Sequence, residues 1–229
     1  MRAKTVDFGD VEKRFGLTVR THRIGLLNLH LAEVERVDEL IREIYPEGAD
    51  GHGDAPVWMI TWPAALGLAE HLALQGAAAV AGASVLELGC GTAAPGIAAG
   101  LSGAARVVST DCHALAVELA RHNGGLNGCT RFEARCLDWF EPELDERFDW
   151  VVGSEVVYFE KTFRPLLSVL VRHTKPGGRI LLSDPGRPQM SVFLEMCRQE
   201  GFALEESFRN VHLCDRSHRV RITLLTRWR

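Results

Sequence analysis

The chain has 229 residues, of which 46% are hydrophobic and 24% charged. This is the composition of an ordinary globular domain, and it excludes disordered, collagen-like and coiled-coil proteins. Lys and Arg together number 26 against 30 Asp and Glu, for a formal net charge of -4. Because no basic run is long enough to follow a phosphate backbone, we expect no nucleic-acid partner.

The compartment is predicted from cysteine usage and from apolar runs. The 6 cysteines are scattered without a C-x-x-C pair, and a chain of this length does not need disulfides to fold, so we expect reduced thiols. No stretch approaches the roughly 18 apolar residues of a transmembrane helix, and the first residues lack the apolar core of a signal peptide. The sequence therefore predicts a cytoplasmic protein without membrane contact.

Residues 1–56 are predicted to form an N-terminal extension of strand and helix, too small to be a domain, ahead of a main domain over residues 57–229. Within the extension, residues 34–44 carry apolar side chains at helical spacing, and residues 48–56 form a turn-rich loop. The main domain opens with a helix that begins at Pro63, a residue favoured at the first helical position.

From about residue 84, short apolar runs alternate with helical patterns, which is typical of a mainly parallel sheet. Asn123-Gly124-Gly125 predicts the end of one helix, and Pro165 predicts the start of another that ends at residues 175–178. The predicted strands are residues 84–88, 106–111, 130–137, 148–153, 179–183, 202–209 and 220–228. We expect an α/β fold with a seven-stranded Rossmann-like sheet, mostly parallel with an antiparallel last strand, and helices on both faces.

A glycine-rich segment, ELGCGTAAPG (residues 87–96), follows the first of these strands and precedes a helix. Gly89 and Gly91 permit a tight turn and a close approach of the backbone to a nucleoside cofactor at the carboxyl end of the strand. Asp111 ends the next strand about 20 residues later, where an acid accepts hydrogen bonds from ribose hydroxyls. Gly89-x-Gly91-x-x-Ala94 also meets the loose dinucleotide fingerprint, so NAD is the alternative.

Three features favour S-adenosylmethionine over NAD. Glu87 precedes the first glycine by two residues, and an acid suits a cationic cofactor. Pro95 interrupts the helical turn whose amides would bind a pyrophosphate. An acid-aromatic pair, Asp138-Trp139, ends the third strand, where it can meet an adenine.

These motifs resemble the class I S-adenosylmethionine-dependent methyltransferases over roughly residues 57–229. VLELGCG (residues 85–91) and LDWF (residues 137–140) carry that similarity. VWMITWP (residues 57–63) and SEVVY (residues 154–158) are similar to the small protein-lysine methyltransferases, and SDPGRPQ (residues 183–189) is most similar to the branch that acts on the electron-transfer flavoprotein β-subunit.

The resemblance implies that a lysine of a protein substrate is methylated. It implies cofactor contacts from Trp62, Glu87, Gly89, Gly91, Thr92, Asp111, Asp138, Trp139 and Ser154. Glu155 and Tyr158 are the expected catalytic pair, because a carboxylate can orient the amine and accept its proton while a hydroxyl bonds beside it. Two residues depart from the pattern: Ala93 replaces a frequent third glycine, and Glu155 replaces the usual Asp. Alternatives are a histidine acceptor and a small-molecule N- or O-methyltransferase.

Arg187 is the candidate substrate-docking residue. It lies in Asp184-Pro185-Gly186-Arg187-Pro188, where residues that precede proline are held extended, so a stiff loop presents the guanidinium in a fixed direction. Pairing of Arg187 with Asp184 or Glu155 inside the protein is the alternative. His212, Cys214 and His218 lack metal-binding spacing, so no metal is expected. We expect a monomer.

Overall fold

A computed structural model describes residues 7–44, 57–74 and 77–227. The turn-rich loop predicted over residues 48–56 and the end of the last predicted strand, Trp228, lie outside the described residues. No helix in the described part of the chain combines the length and apolar character needed to cross a membrane.

The N-terminal residues fold as a helix, a β-hairpin and a second helix. These elements are α1 (Phe8–Phe15), β1 (Leu17–Ile24), β2 (Leu27–Val34) and α2 (Val37–Ile44). The hairpin was not predicted, and the helix predicted over residues 34–44 begins only at Val37, because Val34 is the last residue of β2 and pairs with Leu17. Buried Leu40 and Trp58 share one apolar cluster with Leu119 of the main domain, so the N-terminal elements pack on that domain. The domain division at residue 57 stays a prediction.

The main sheet has the predicted architecture. Its helices and strands are α3 (Pro63–Leu74), α4 (Ala77–Val80), β3 (Ser84–Leu88), α5 (Ala94–Leu101), β4 (Arg106–Asp111), α6 (Ala114–Leu126), β5 (Phe132–Cys136), β6 (Phe148–Ser154), α7 (Phe163–His173), β7 (Thr174–Asp184), α8 (Pro188–Gln199), β8 (Phe202–Leu213) and β9 (Arg216–Arg227). Seven strands lie in the order β5-β4-β3-β6-β7-β9-β8. Only β9 runs against its two neighbours, so the α/β fold and the antiparallel last strand are confirmed.

Helices cover both faces of the sheet, as predicted. One apolar cluster joins residues of α3 and α5 to one face, and a second joins α7 and α8 to the other. Alternate residues of β3 supply the two clusters, Val85 on one side and Leu86 on the other, as the two-residue period of a strand requires.

Two predicted boundaries are wrong for tertiary reasons. The helix expected to stop at Asn123-Gly124-Gly125 continues to Leu126. A Cβ at Gly124 would lie 2.6 Å from a ring carbon of Phe132, so the glycine permits close packing of α6 on β5 rather than a turn. Residues 175–178, where the next helix was expected to end, belong to β7, because α7 already ends at His173. The pairing of β7 with β6 shifts register between Phe148 and Trp150.

Candidate active site

The predicted site residues converge on the edge of the sheet where the parallel strands end. The loop after β3 carries Gly89, Gly91 and Thr92; β4 ends at Asp111; Asp138 and Trp139 follow β5; Ser154, Glu155 and Tyr158 lie at the end of β6; and Arg187 follows β7. In open α/β sheets this edge forms the ligand-binding crevice.

The glycine loop leaves no room for side chains at its two central glycines. Gly89 and Gly91 have φ of 60° and 48°, in the left-handed region that glycine adopts without strain. A Cβ at Gly89 would lie 2.9 Å from Val156 Cγ1, and one at Gly91 would lie 3.3 Å from the Trp58 carbonyl oxygen. Ala93 takes the same left-handed conformation, with φ of 61°. A third glycine would adopt it at less cost, so this departure from the family pattern is a site of backbone strain.

Glu87 is buried between the sheet and α5, with 1% of its surface exposed. Ser109 Oγ donates to Glu87 Oε2 at 2.5 Å, while Oε1 has no hydrogen-bond partner in the described structure. Burial raises the pKa of Glu87 to about 8. A Cβ at Gly96 would lie 2.4 Å from Oε2, so the carboxyl group packs directly under the first turn of α5. In this position Glu87 supports the glycine loop, and its direct contact with a cofactor stays a prediction.

Asp111 joins the end of β4 to the glycine loop. Its Oδ2 accepts from the Gly91 N–H at 3.1 Å, and its Oδ1 accepts from the His113 N–H at 3.1 Å. The side chain is 8% exposed, and burial raises its pKa. Each oxygen keeps a lone pair, so the carboxylate can also accept from a ribose hydroxyl.

A network that sequence reasoning missed fixes the loop from the N-terminal side. Asn123 Nδ2 donates to the Thr92 carbonyl oxygen at 3.0 Å, and Asn123 Oδ1 accepts from the Ala32 N–H of β2 at 2.7 Å. The hydroxyl oxygens of Thr92 and Thr61 are 3.1 Å apart, and the Thr61 N–H donates to Glu33 Oε1 at 3.1 Å. The β1-β2 hairpin is therefore bonded to the predicted cofactor loop.

The two tryptophans ahead of α3 differ in their contacts. The Trp62 carbonyl oxygen accepts from the N–H groups of Ala65 and Leu66 and so caps the start of α3. Trp58 is 6% exposed, its backbone lies against Gly91, and its ring is tilted against that of His113 with centroids 6.3 Å apart. The role of Trp62 at the cofactor stays a prediction.

The acid-aromatic pair after β5 lies beside the glycine loop. Trp139 Cζ2 would lie 3.7 Å from a Cβ at Gly89, so the indole borders the loop. Asp138 is exposed, and its Oδ1 accepts from the Phe140 N–H at 2.9 Å. This turn holds the carboxylate at the open edge, where it can accept from an adenine amino group.

Glu155 sits at the end of β6 in a strained backbone conformation, with φ of 52°. Its N–H donates to the Ser183 carbonyl oxygen of β7 at 2.8 Å, which fixes the residue between two strands. Tyr158 follows three residues later, with its ring edge-on to Phe159 at 4.5 Å between centroids. A non-glycine residue held at positive φ beside the ligand edge is typical of a functional position.

Arg187 forms one of the two internal pairs that the sequence left open. Its Nη2 donates to Glu155 Oε2 at 2.7 Å. Asp184 is paired instead with Arg221, whose Nε donates to Asp184 Oδ2 at 2.8 Å, and Asp184 Oδ1 accepts from the N–H groups of Gly186 and Arg187. The Arg187 side chain is still 43% exposed, and its role in docking stays a prediction.

Within residues 7–44, 57–74 and 77–227, no group of three or more His, Cys, Asp or Glu side chains is placed to hold a metal ion.

Comparisons with known proteins match this architecture. The mouse electron transfer flavoprotein beta subunit lysine methyltransferase is 35% identical over 137 residues, which cover 59% of this chain and 53% of that protein. The Xenopus tropicalis protein N-lysine methyltransferase METTL21A is 36% identical over 146 residues, or 61% of this chain and 66% of that protein. The chain spans about half the length of the electron transfer flavoprotein relatives it matches.

A solved structure shows the same fold at low sequence identity. The T. thermophilus 16S rRNA N2 G1207 methyltransferase RsmC superimposes with a TM-score of 0.61 at 19% identity, over 93% of this chain and 51% of that one. The model of the lysine methyltransferase family matches residues 50–200, which include the glycine loop, Asp111, Glu155 and Arg187. The match confirms the predicted resemblance: the chain belongs to the lysine methyltransferase family.

Proposed function

We propose that this protein transfers a methyl group from S-adenosylmethionine to a lysine side chain of a protein substrate. The observation that carries the proposal is the meeting of the glycine loop and Glu155 at one edge of the sheet, in a chain that belongs to the lysine methyltransferase family. The relatives from mouse and Xenopus tropicalis are both named as lysine methyltransferases of proteins, which supports a protein acceptor here.

The residues at this edge fit S-adenosylmethionine. Gly89 and Gly91 bring bare backbone to the crevice, Asp111 offers carboxylate oxygens to a ribose, and Asp138 and Trp139 offer an acceptor and a ring to an adenine. The bound cofactor would supply an electrophilic methyl group on a sulfonium. Trp62, Thr92, Ser154 and Glu87 complete the proposed cofactor contacts. Glu87 also packs against the first turn of α5.

Catalysis by the chain's own residues consists of positioning and proton removal. Because the methyl group would be accepted in line with its bond to sulfur, the chain's own residues contribute chiefly by holding the acceptor amine in that alignment. The lysine must first become a neutral amine. Glu155, of which 12% of the side chain is exposed, is the residue proposed to orient the ammonium and accept its proton, and Tyr158 is proposed to hydrogen-bond beside it.

The ion pair of Glu155 with Arg187 is compatible with the proposed role of Glu155 as the acceptor of the substrate proton. Arg187 donates to one carboxylate oxygen, so Oε1 of Glu155 remains to meet the substrate amine. The guanidinium also keeps the carboxylate in one orientation. A monomeric state, a cytoplasmic location and the lack of a nucleic-acid partner are further expectations that accompany the proposal.

Transfer of a radiolabelled methyl group tests the proposal. The purified protein is incubated with labelled S-adenosylmethionine and a heat-inactivated cell extract, and the products are separated on a gel. We expect a labelled protein band that is lost with Glu155→Gln and kept with Glu200→Gln, a control at an exposed glutamate away from the site. Label found only in small molecules would favour a metabolite acceptor, and no transfer would contradict an enzymatic role.

A further inference from the structure

The hairpin of β8 and β9 is longer than the sheet to which it belongs. β9 pairs with β7 only from Arg221 to Thr226, and the last pair joins Asp184 to Arg221. The pairing of β9 with β8 continues beyond Arg221 as far as the last pair of the hairpin, Leu213 with Arg216. Residues 208–220, here called the arm, therefore project past the carboxyl edge of the sheet, on the side of the candidate acceptor site.

One face of the arm is covered. Val211 and Val220 are 7% and 0% exposed and pack against α3, where a Cβ at Gly67 would lie 2.9 Å from Val220 Cγ1 and 3.3 Å from Val211 Cγ2. The arm is thus fixed to the same helix that begins beside Trp62. Because side chains alternate along a strand, the residues next to Val211 in β8 and next to Val220 in β9 point to the opposite face of the arm.

The opposite face of the arm is open to solvent. Its exposed residues are Phe208, Asn210, His212, Ser217 and Arg219. At the base of this face, Arg221 bonds to Asp184, Asp184 accepts from the Arg187 N–H, and Arg187 pairs with Glu155. These hydrogen bonds link the base of the open face to the loop that holds the proposed catalytic carboxylate.

The chemistry of the open face suits a carboxylate. The Arg219 guanidinium lies 4.0 Å from the centroid of the Phe208 ring, which is 50% exposed. In the described part of the chain, no carboxylate lies within ion-pair distance of Arg219. The arm carries three arginines and one aspartate, on a chain whose net charge is -4. A guanidinium oriented by an aromatic ring and lacking an acidic partner can bind a carboxylate through two parallel hydrogen bonds.

We propose that the open face of the arm binds an acidic, extended segment of the protein whose lysine is methylated. This inference rests on the proposed function and names the feature of the substrate that the arm selects. A pair of strands that packs on α3 through one face, and presents one exposed aromatic residue and one oriented arginine on the other, fits a peptide with a carboxylate near its lysine. RNA is disfavoured because its binding generally draws on many phosphate contacts, and a single open-face arginine supplies few.

The test uses two 15-residue peptides, each with a central lysine, one flanked by glutamates and one by serines, together with N-acetyl-lysine amide as a short acceptor. Arg219→Glu removes the proposed contact. Arg216→Glu is the matched control, because it reverses an exposed charge on the opposite face of the same arm. Binding of the fluorescently labelled peptides is measured by anisotropy without turnover, and kcat/KM by release of S-adenosylhomocysteine.

We expect wild-type protein to bind the glutamate peptide about tenfold more tightly than the serine peptide, the effect of one partly exposed guanidinium–carboxylate pair. Arg219→Glu should abolish this preference and lower the ratio of kcat/KM for the glutamate peptide to that for the short acceptor by a similar factor. Arg216→Glu should retain both. Equal affinity for the two peptides, or equal losses in the two variants, would overturn the inference.

Two further outcomes separate this inference from the proposed function. Arm-dependent binding of the glutamate peptide without methylation of any lysine acceptor would support the arm and contradict lysine methylation. Methylation of both peptides without a preference for the glutamate peptide would support lysine methylation and contradict the proposed role of the arm. Tighter, Arg219-dependent binding of a labelled oligouridine RNA than of the glutamate peptide would overturn a protein occupant of the arm.

Discussion

Replacing Glu87 by Gln should change how the stability of the protein depends on pH. Burial raises the pKa of Glu87 from 4.5 to about 8 in the folded protein. The folded state therefore favours the neutral carboxyl group, and its contribution to stability is complete below the unfolded pKa and is lost as pH rises toward the folded pKa. Gln has nearly the same shape but no titration, so its contribution does not vary with pH.

The expected magnitude follows from this pKa shift. Each pH unit between the two pKa values costs the wild-type protein about 1.4 kcal/mol of unfolding free energy. Between pH 5.5 and 7.5, the difference in unfolding free energy between Glu87→Gln and wild type should therefore move by about 3 kcal/mol in favour of the variant. The change with pH is independent of any fixed cost of burying the amide hydrogens near Ser109.

Urea unfolding of both proteins at several pH values measures this difference. Titrating groups remote from Glu87 behave alike in both proteins and cancel in the comparison, whereas Asp111, whose charge raises the pKa of Glu87, leaves a residual difference. Glu200→Gln serves as the control for loss of an exposed carboxylate, and its curve should run parallel to wild type. Parallel curves for Glu87→Gln and wild type would refute the argument that Glu87 is held neutral beneath the glycine loop.

Four other perturbations test the site. Gly96→Ala should lower the unfolding free energy by about 1–3 kcal/mol, because the added Cβ would overlap Glu87. Gly125 is also helical, but in the described part of the chain no atom beyond its chain neighbours and the helix backbone would lie within 4 Å of an added Cβ, so the control Gly125→Ala should be neutral or stabilising by up to about 1 kcal/mol. Equal melting temperatures of the two variants would contradict the packing of Glu87 against α5. Asp111→Ala should weaken binding of S-adenosylhomocysteine in calorimetry by about 1–3 kcal/mol, and NAD should not bind; unchanged affinity would remove Asp111 from the site. Glu155→Gln should lower kcat with cofactor affinity intact, and loss of cofactor binding would place it in the cofactor pocket. Arg187→Ala should raise KM for a protein acceptor. It should lower the unfolding free energy by at most about 1 kcal/mol, because the ion pair of Arg187 with Glu155 is partly exposed. A fall of several degrees in melting temperature with unaltered KM would mean that Arg187 stabilises the fold and does not bind the substrate.

The central strands and the glycine loop could be predicted because local signals determine them. Short β-branched runs and the turn chemistry of Gly89 and Gly91 are present in the sequence itself, and both glycines adopt the expected positive φ. The course of α6 could not be predicted in this way. The space that Gly124 leaves for Phe132 and the two backbone contacts of Asn123 arise only after the chain has folded.

The sequence predicts which residues lie at the site better than it predicts what their side chains contact. The motif indicates that Glu87 belongs to the site, but its burial under Gly96 depends on how α5 packs on the sheet. The proline-bounded loop indicates a fixed Arg187, and its partner could be either of two acids. The structure assigns Arg221 to Asp184 and leaves Arg187 to Glu155, a division that depends on the pairing of β7 with β9.

Identification of the methylated amino acid tests the central proposal most directly. A protein labelled from radioactive S-adenosylmethionine in the extract assay is hydrolysed in acid, and the amino acids are separated beside standards of methylated lysine and methylated histidine. The account predicts that the label migrates with methylated lysine and is absent when Glu155→Gln replaces the wild-type enzyme. Label in methylated histidine, or undiminished label with Glu155→Gln, would contradict the account.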